Sequence, residues 1–229
     1  MNERSQQQRS AYHHGDLHKA LSAAGAELAR EGGPEAVVLR EAARRVGVSP
    51  TAAYRHFANH ADLLGEVKEQ AQTALADAMR AALDRADEST PAVDAGLRAR
   101  GRLLAIGRGY VNFALDQPGL FRTAFHRLEH TGAARQEQDR DLGPGLDDLG
   151  FAARSYRLLG DILDELLAAG LIAPDRRPGA EAAAWAGVHG LASLLLDGPL
   201  RRLPRSARDQ VVELTLAVIA DGLRPAAPI

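Results

Sequence analysis

Two short stretches of helical character on either side of a Gly-Val-Ser turn constrain the fold of this chain most strongly. They lie within LREAARRVGVSPTAAYRHFANH, residues 39–60. Gly47 can adopt a positive φ without a Cβ clash. Ser49 is a good helix cap, and Pro50 after it suits a first helical turn. The pattern predicts helices over residues 39–46 and 50–56 that cross at a tight turn.

The same segment carries a local positive charge that the chain as a whole does not. Residues 39–60 hold four arginines against one acidic residue, Glu41, whereas the net charge of all 229 residues is −2. Association with nucleic acid depends on the local field, so the acidic total does not exclude DNA binding. A basic pair of short helices around such a turn is typical of a helix-turn-helix motif, whose second helix enters the major groove.

The rest of the chain also has a helical pattern, because alanine and leucine dominate it and aromatic residues make up only 4%. Apolar residues recur at helical spacing between glycine and proline breaks. The nine predicted helices cover residues 16–31, 39–46, 50–56, 60–86, 93–116, 120–130, 151–169, 179–196 and 206–223. Asp16 is the predicted cap of the first helix, residues 1–14 a disordered arm and residues 131–149 a polar loop. The expected fold class is all-α.

Composition excludes several classes of protein. The chain has no cysteine, so it has neither disulfides nor thiolate zinc sites. No apolar run approaches about 20 residues, so no membrane span is predicted. The N-terminus MNERSQQQRSAYHH is polar and has no apolar stretch, so we expect no signal peptide. Glycine motifs that cradle phosphates are absent from the sequence. We therefore expect a cytoplasmic protein with no cofactor and no structural metal.

A family resemblance follows from these motifs. LREAARRVGVSPTAAYRHF, followed by ADLL at 61–64, resembles the N-terminal domain of the tetracycline-repressor (TetR) family of transcriptional regulators. WAGVHG at 185–190 is similar to the Trp-x-x-x-His-Gly signature of one C-terminal domain subgroup in that family. YHHGDL at 12–17 and GYVNFALDQPGLFRTAF at 109–125 resemble the same subgroup.

The resemblance implies a helix-turn-helix DNA-binding domain over residues 15–58 and a helical effector-binding and dimerisation domain over 59–229. It further implies a homodimer formed through the last two helices. Such a dimer would repress transcription at a palindromic double-stranded DNA operator, and a small-molecule effector of unknown identity would release it. Two recognition helices related by a two-fold axis match the symmetry of a palindrome.

The resemblance also implies which residues contact DNA. Arg40, at the start of the second helix, is expected on a base edge or a phosphate, and its guanidinium could pair with guanine O6 and N7. The base-reading candidates on the recognition helix are Thr51, Ala52 and Arg55. The phosphate-contact candidates, which position the protein without reading sequence, are Ser49, Tyr54, His56 and His60.

Two positions depart from the family pattern. Val38 stands where many relatives have serine or threonine, which caps the second helix and touches phosphate. His60 stands where many have lysine, and a neutral imidazole is a weaker partner for phosphate. We therefore expect weaker contacts to the DNA backbone than in a typical relative.

An effector site is expected in the larger domain. Its candidate residues are Tyr110, Phe113, Phe121, Phe125, His126, Tyr156, Trp185 and His189. Trp185 and His189 are one helical turn apart and share a face, which either fills a core or lines a ligand cavity.

The segment HRLEH at 126–130 supplies an alternative function. It matches the H-x-x-E-H pattern of inverted zinc peptidases, in which His126 and His130 would share a metal and Glu129 would act as base. A third ligand has no evident source and such short matches arise by chance in helices, so we expect no catalytic metal and no enzyme. A DNA-binding regulator without an effector pocket is the other alternative.

Overall fold

The computed structural model describes the backbone of residues 3–89, 94–126 and 153–224, and the side chains of 16–88, 94–126 and 154–224. Within these ranges the chain forms nine α-helices, three short 3-10 turns and no strand, which confirms the all-α prediction. The helices are α1 (Glu3–Gly32), α2 (Leu39–Val46), α3 (Pro50–Ala53), α4 (His60–Ser89), α5 (Ala95–Asp116), α6 (Pro118–Ala124), α7 (Ala153–Ala168), α8 (Ala180–Leu196) and α9 (Arg205–Gly222). None of these helices is both long enough and apolar enough to span a membrane.

The chain divides into two compact units. The first unit comprises Met1–Gln72 and Pro118–Asp141, and the second comprises Thr73–Gln117 and Leu142–Ile229. The division therefore falls within α4, and α6 joins the first unit because it packs on α1. The assignment of DNA binding and effector binding to residues 15–58 and 59–229 stays a prediction.

The first unit is held together by an apolar core from α1, α2 and α4. Its fully buried members include Leu21, Leu63 and Val67, together with Val37 just before α2. The core leaves the opposite faces of α2 and α3 in solvent, where most of the predicted DNA contacts lie.

In the second unit, α5 lies against α7, α8 and α9. Ile106 and Val111 of α5 are buried. Arg108 of α5 also donates to both carboxylate oxygens of Glu213 on α9, at 2.6 Å each. Since exposed ion pairs contribute little, apolar burial along α5 supplies most of the stabilisation.

The start of α1 and the ends of α3 and α6 differ from the sequence predictions. Helix α1 begins at Glu3 rather than Asp16, so residues 3–14, predicted as a disordered arm, are helical. They contain no proline, and Gly15 costs only about 1 kcal/mol inside a helix. Helix α3 ends at Ala53 rather than at residue 56, and the chain continues through turns to His56.

Helix α6 ends at Ala124, before the predicted end at residue 130. The last carbonyl groups of a helix have no hydrogen-bond partner within the helix. At the C-terminal end of α6, two side chains of α4 donate hydrogen bonds to backbone carbonyl oxygens. Gln72 Nε2 donates to the carbonyl of Ala124 at 3.0 Å, and Lys68 Nζ donates to that of His126 at 3.0 Å. Residues 127–130 lie outside the described part of the chain.

Candidate functional site

The turn between α2 and α3 has the geometry that the sequence predicts. Gly47 ends α2 in the left-handed conformation, with φ 77° and ψ 28°. Ser49 caps α3, since its Oγ accepts a hydrogen bond from the N–H of Ala52 at 3.2 Å. Ala43 and Ala53 are fully buried, so the two helices approach closely. The pair is therefore a helix-turn-helix with one buried side and one side in solvent.

The residues predicted to contact DNA lie on the solvent side of this pair and at the start of α4. Arg40, Ser49, Thr51, Tyr54, Arg55 and His60 are exposed, while Ala52 and His56 are half-buried. Arg40 and Arg55 make no hydrogen bond or ion pair with any other residue that the structure describes. Their guanidinium groups are therefore open to an external anion.

The other two arginines of the segment are held by acidic side chains. Arg44 Nε and Nη2 donate to the two carboxylate oxygens of Glu41 at 2.8 and 2.7 Å. Arg45 Nη1 and Nη2 donate to those of Glu31 on α1 at 2.7 and 2.6 Å. Counting charges within residues 39–60 therefore overestimates the positive charge available to DNA. The count omits Glu31, which lies outside the segment but is paired with Arg45.

These ion pairs predict a change of stability in acid. The hydrogen bond from Arg44 lowers the pKa of Glu41 from its ordinary 4.5 to about 2. A carboxylate with a lowered pKa stabilises the fold above its unfolded pKa, and this contribution is lost as the pH falls through the folded pKa. At neutral pH we expect wild type to have a higher melting temperature than Glu41→Gln. This difference should decrease as the pH falls below 4.5 and disappear near pH 2. Thermal unfolding across this range measures it, and a difference that persists below pH 2 would contradict it.

The start of α4 is capped by Asn59, which the sequence analysis did not identify. Asn59 Oδ1 accepts a hydrogen bond from the N–H of Asp62 at 3.0 Å. The sequence could have indicated this cap, since asparagine is among the residues preferred at the N-terminus of a helix. Val38 gives α2 no side-chain cap, as predicted. The helix N-termini beside Val38 and His60 both lie at exposed positions.

A cluster around His18 fixes the end of the recognition segment. The His18 ring stacks on buried Phe57 with centroids 4.5 Å apart, and His56 lies edge-on at 6.3 Å. His18 Nε2 is 3.3 Å from Glu66 Oε2 on α4. The segment after α3 is thus held against both α1 and α4. This contact was not predictable from the sequence, because it joins residues far apart in the chain.

Three of the eight predicted effector residues come together in the second unit. The Tyr110 hydroxyl and His189 Nδ1 are 2.8 Å apart, and Trp185 stacks on His189 with ring centroids 4.7 Å apart. Burial raises the pKa of Tyr110, and a hydrogen bond from Trp185 partly offsets this increase. Burial lowers the pKa of His189. Burial therefore favours the neutral form of His189. Because an indole N–H only donates, Trp185 donates to the Tyr110 hydroxyl, which also forms the hydrogen bond with His189 Nδ1.

The other five candidates divide between the units. Phe113, which is buried, and Tyr156, which is half-buried, belong to the second unit. Phe121, Phe125 and His126 belong to the first, where the two phenyl rings pack edge to face at 5.0 Å. Their role in effector binding stays a prediction.

The metal alternative falls mostly outside the described residues, since only His126 of the HRLEH segment is described. Among described side chains, no group of three or more His, Asp or Glu residues is placed to hold a metal ion.

Comparison with protein families gives two matches. The family model described as "Bacterial regulatory proteins, tetR family" matches residues 21–67. The model described as "Tetracyclin repressor-like, C-terminal domain" matches residues 103–219, more than half of the chain. Comparison with curated protein sequences found no match.

Solved structures agree with these matches over nearly the whole chain. A protein of unknown function from Rhodococcus sp. RHA1 is 29% identical, with a TM-score of 0.65 over 93% of this chain and 98% of its own. A TetR family transcription regulator from Marinobacter aquaeolei VT8 is 18% identical and similar in fold, with a TM-score of 0.57 over 96% of this chain and 100% of its own. The chain therefore belongs to the TetR family of transcriptional regulators, which are DNA-binding proteins rather than enzymes.

Proposed function

We propose that this regulator is a cytoplasmic repressor that binds a palindromic operator as a homodimer and releases it when a small molecule binds its C-terminal domain. The observation that carries the proposal is the exposed helix-turn-helix, on which Arg40 and Arg55 have no partner among the described residues. Family membership supports DNA-binding regulation. The repressor role, the palindrome and the release by an effector are what the resemblance to that family implies for this chain.

In this proposal the two unpartnered arginines read bases. Arg40 lies in the first turn of α2, and Arg55 lies in the turn after α3. A guanidinium can pair in two places with guanine O6 and N7. Thr51 and Ala52 on α3 are the neighbouring readers, and the Ala52 methyl suits a thymine methyl.

Contacts to the DNA backbone set the position of these readers. The proposed phosphate contacts are the exposed Ser49, Tyr54 and His60 and the half-buried His56. The N-terminus of α4 beside His60 adds backbone amides that favour an anion. The Ser49 hydroxyl accepts from Ala52 as a cap, and its own proton remains for a phosphate oxygen.

Arg40→Ala tests the proposed readout. We expect a loss of about 1–3 kcal/mol of binding free energy and relaxed specificity at one base pair per half-site. The measurement is fluorescence anisotropy at fixed salt on the operator and its single-base-pair variants, with thermal unfolding to verify the fold. Arg44→Ala is the matched control, because Arg44 lies on the same helix but is held by Glu41.

Two outcomes would contradict the assignment of Arg40. An equal loss of affinity in Arg44→Ala would mean that the ion pair does not keep Arg44 from DNA. A uniform loss for Arg40→Ala on every sequence would make Arg40 a phosphate contact rather than a reader of bases.

The exposed faces of α8 and α9 support the proposed homodimer. Leu194 on α8 is 44% exposed, and Leu214 and Val218 on α9 are 66% and 62% exposed. Leu214 and Val218 are four residues apart, so they share a face. A Cβ placed on Gly190 of α8 would meet no atom within 4 Å, so a helix of a second copy can approach there. Pairing these helices about a two-fold axis would present two recognition helices to one palindrome.

The chain of hydrogen bonds from Trp185 through Tyr110 to His189 is the proposed core of the effector site. Small-molecule sites are mostly apolar with a few placed polar groups, and these three side chains fit that description. An effector that favours the DNA-incompetent state would shift the population away from the operator. Trp185 is the single tryptophan of the chain, so its fluorescence should change with effector binding. A compound that changes this fluorescence without weakening operator binding would contradict the proposal that effector binding releases the protein from DNA.

A further inference from the structure

A groove of about 720 Å³ lies in the second unit, at the start of α5 and the ends of α7 and α9. Its apolar lining includes the buried side chains of Leu103, Leu166 and Ile172. Leu97 also lines it and is 71% exposed. The volume is within the range of about 300–1,000 Å³ typical of small-molecule sites. None of the eight predicted effector residues lines this groove.

Charged side chains also line the groove. Arg100 Nη2 donates to Asp221 Oδ1 at 3.1 Å, and Arg224 Nη1 is 3.9 Å from the same oxygen. Asp94 is engaged by the backbone, since its Oδ1 accepts from the N–H of Leu97 at 2.8 Å and caps α5. A guanidinium has five N–H donors and no acceptor, so the carboxylate of Asp221 uses only a few of the donors of Arg100 and Arg224.

This arrangement favours an anion over a cation. A carboxylate can take the remaining donors of both guanidinium groups in the planar geometry that arginine prefers. To pair with a carboxylate here, a cation would have to break the ion pair between Asp221 and Arg100 or the hydrogen bond between Asp94 and the N–H of Leu97. Losing the latter contact would remove a helix cap.

We propose that this groove binds a monomeric anionic amphiphile. Its carboxylate pairs with Arg100 and Arg224, and its hydrocarbon chain lies along Leu97, Leu103 and Leu166. Burial of each methylene contributes about 0.8 kcal/mol, so chain length sets much of the affinity. The apolar lining is largely recessed, which suits a single chain rather than a membrane surface. The site does not depend on the proposed effector cluster, because Tyr110, Trp185 and His189 lie elsewhere in the unit.

Titration of the full chain with decanoate by isothermal calorimetry tests the ligand class. Decanol and decyltrimethylammonium serve as neutral and cationic probes of the same chain length. We expect saturable binding of decanoate, and binding weaker by about tenfold or more for the other two probes. Equal affinity for all three probes, or uptake that never saturates, would overturn the proposal. Tighter binding to anionic phospholipid vesicles than to decanoate would also overturn it.

Variants test the location of the site. Arg100→Gln and, independently, Leu97→Asp are expected to weaken decanoate binding by about tenfold. Both side chains are at least partly exposed, and thermal unfolding verifies each fold. The matched control is Arg98→Gln, an exposed arginine of α5 that does not line the groove. Wild-type affinity in both groove variants would overturn the proposal.

A separate control distinguishes the groove from the effector cluster. Trp185→Phe should leave decanoate affinity unchanged, since Trp185 does not line the groove. Loss of binding in Trp185→Phe together with wild-type affinity in Arg100→Gln would place decanoate in the effector cluster. That result would overturn this inference and leave the proposed effector site standing.

Discussion

The double variant Leu214→Arg, Val218→Arg is expected to be a monomer whose affinity for operator DNA is about 10²–10⁴-fold lower than that of wild type. Both residues are large, apolar and exposed on one face of α9. Two arginines on this face would meet their copies across a two-fold axis, where unpaired charge is costly. A monomer would also lose the gain that comes from linking two helix-turn-helix motifs on one DNA.

Sedimentation equilibrium measures the assembly state, and anisotropy on the same samples measures operator affinity. Leu97→Arg is the control, because it also places an arginine at an exposed leucine, on α5 instead of α9. This control should remain a dimer with wild-type operator affinity. A double variant that stays dimeric would place the interface away from α9, and thermal unfolding separates that result from loss of the fold.

Gly119→Ala is expected to destabilise the first unit by about 1–3 kcal/mol or more. A Cβ at this position would overlap the carbonyl oxygen of Ala29 and lie 2.7 Å from that of Arg30. These are backbone atoms of α1 that cannot rotate away as the end of a side chain can. Relief would require α6 to move off α1.

Gly101→Ala is the control, and it is expected to increase stability instead of lowering it. A Cβ on Gly101, inside α5, would meet nothing within 4 Å, so alanine should stabilise the helix by about 0.5–1 kcal/mol. Denaturant unfolding of the two variants and wild type measures both effects. Equal stability of Gly119→Ala and Gly101→Ala would contradict the close packing of α6 on α1.

The parts of the fold that depend on local interactions were predicted from the sequence. Gly47, Ser49 and Pro50 act within a few residues of their own positions, so the bounds of α2 and the start of α3 are confirmed. The end of α6 was not predictable in this way. It depends on Lys68 and Gln72, whose partners lie 58 and 52 residues along the chain.

The sequence allowed individual candidate residues to be named, but not the contacts between their side chains. The exposure of Arg40 and Arg55 follows from their places in the two predicted amphipathic segments, residues 39–46 and 50–56. The engagement of Arg45 does not, because Glu31 is 14 residues away on α1. Tyr110 and His189 were each identified as candidates, but their hydrogen bond joins residues 79 apart. The groove beside Arg100 gave no sequence signal, because it forms where the ends of three helices meet.

Selection of operator sequences from random DNA duplexes tests DNA-binding regulation most directly. The purified full-length chain is immobilised, bound duplexes are recovered at fixed salt, and the enriched sequences are compared. We predict an inverted repeat whose half-sites are centred about 34–36 Å apart or a multiple of one turn. Its affinity should exceed that of random DNA by about 10³-fold or more, and Arg40→Ala should relax one position in each half. A folded protein that enriches no sequence would contradict the proposed function.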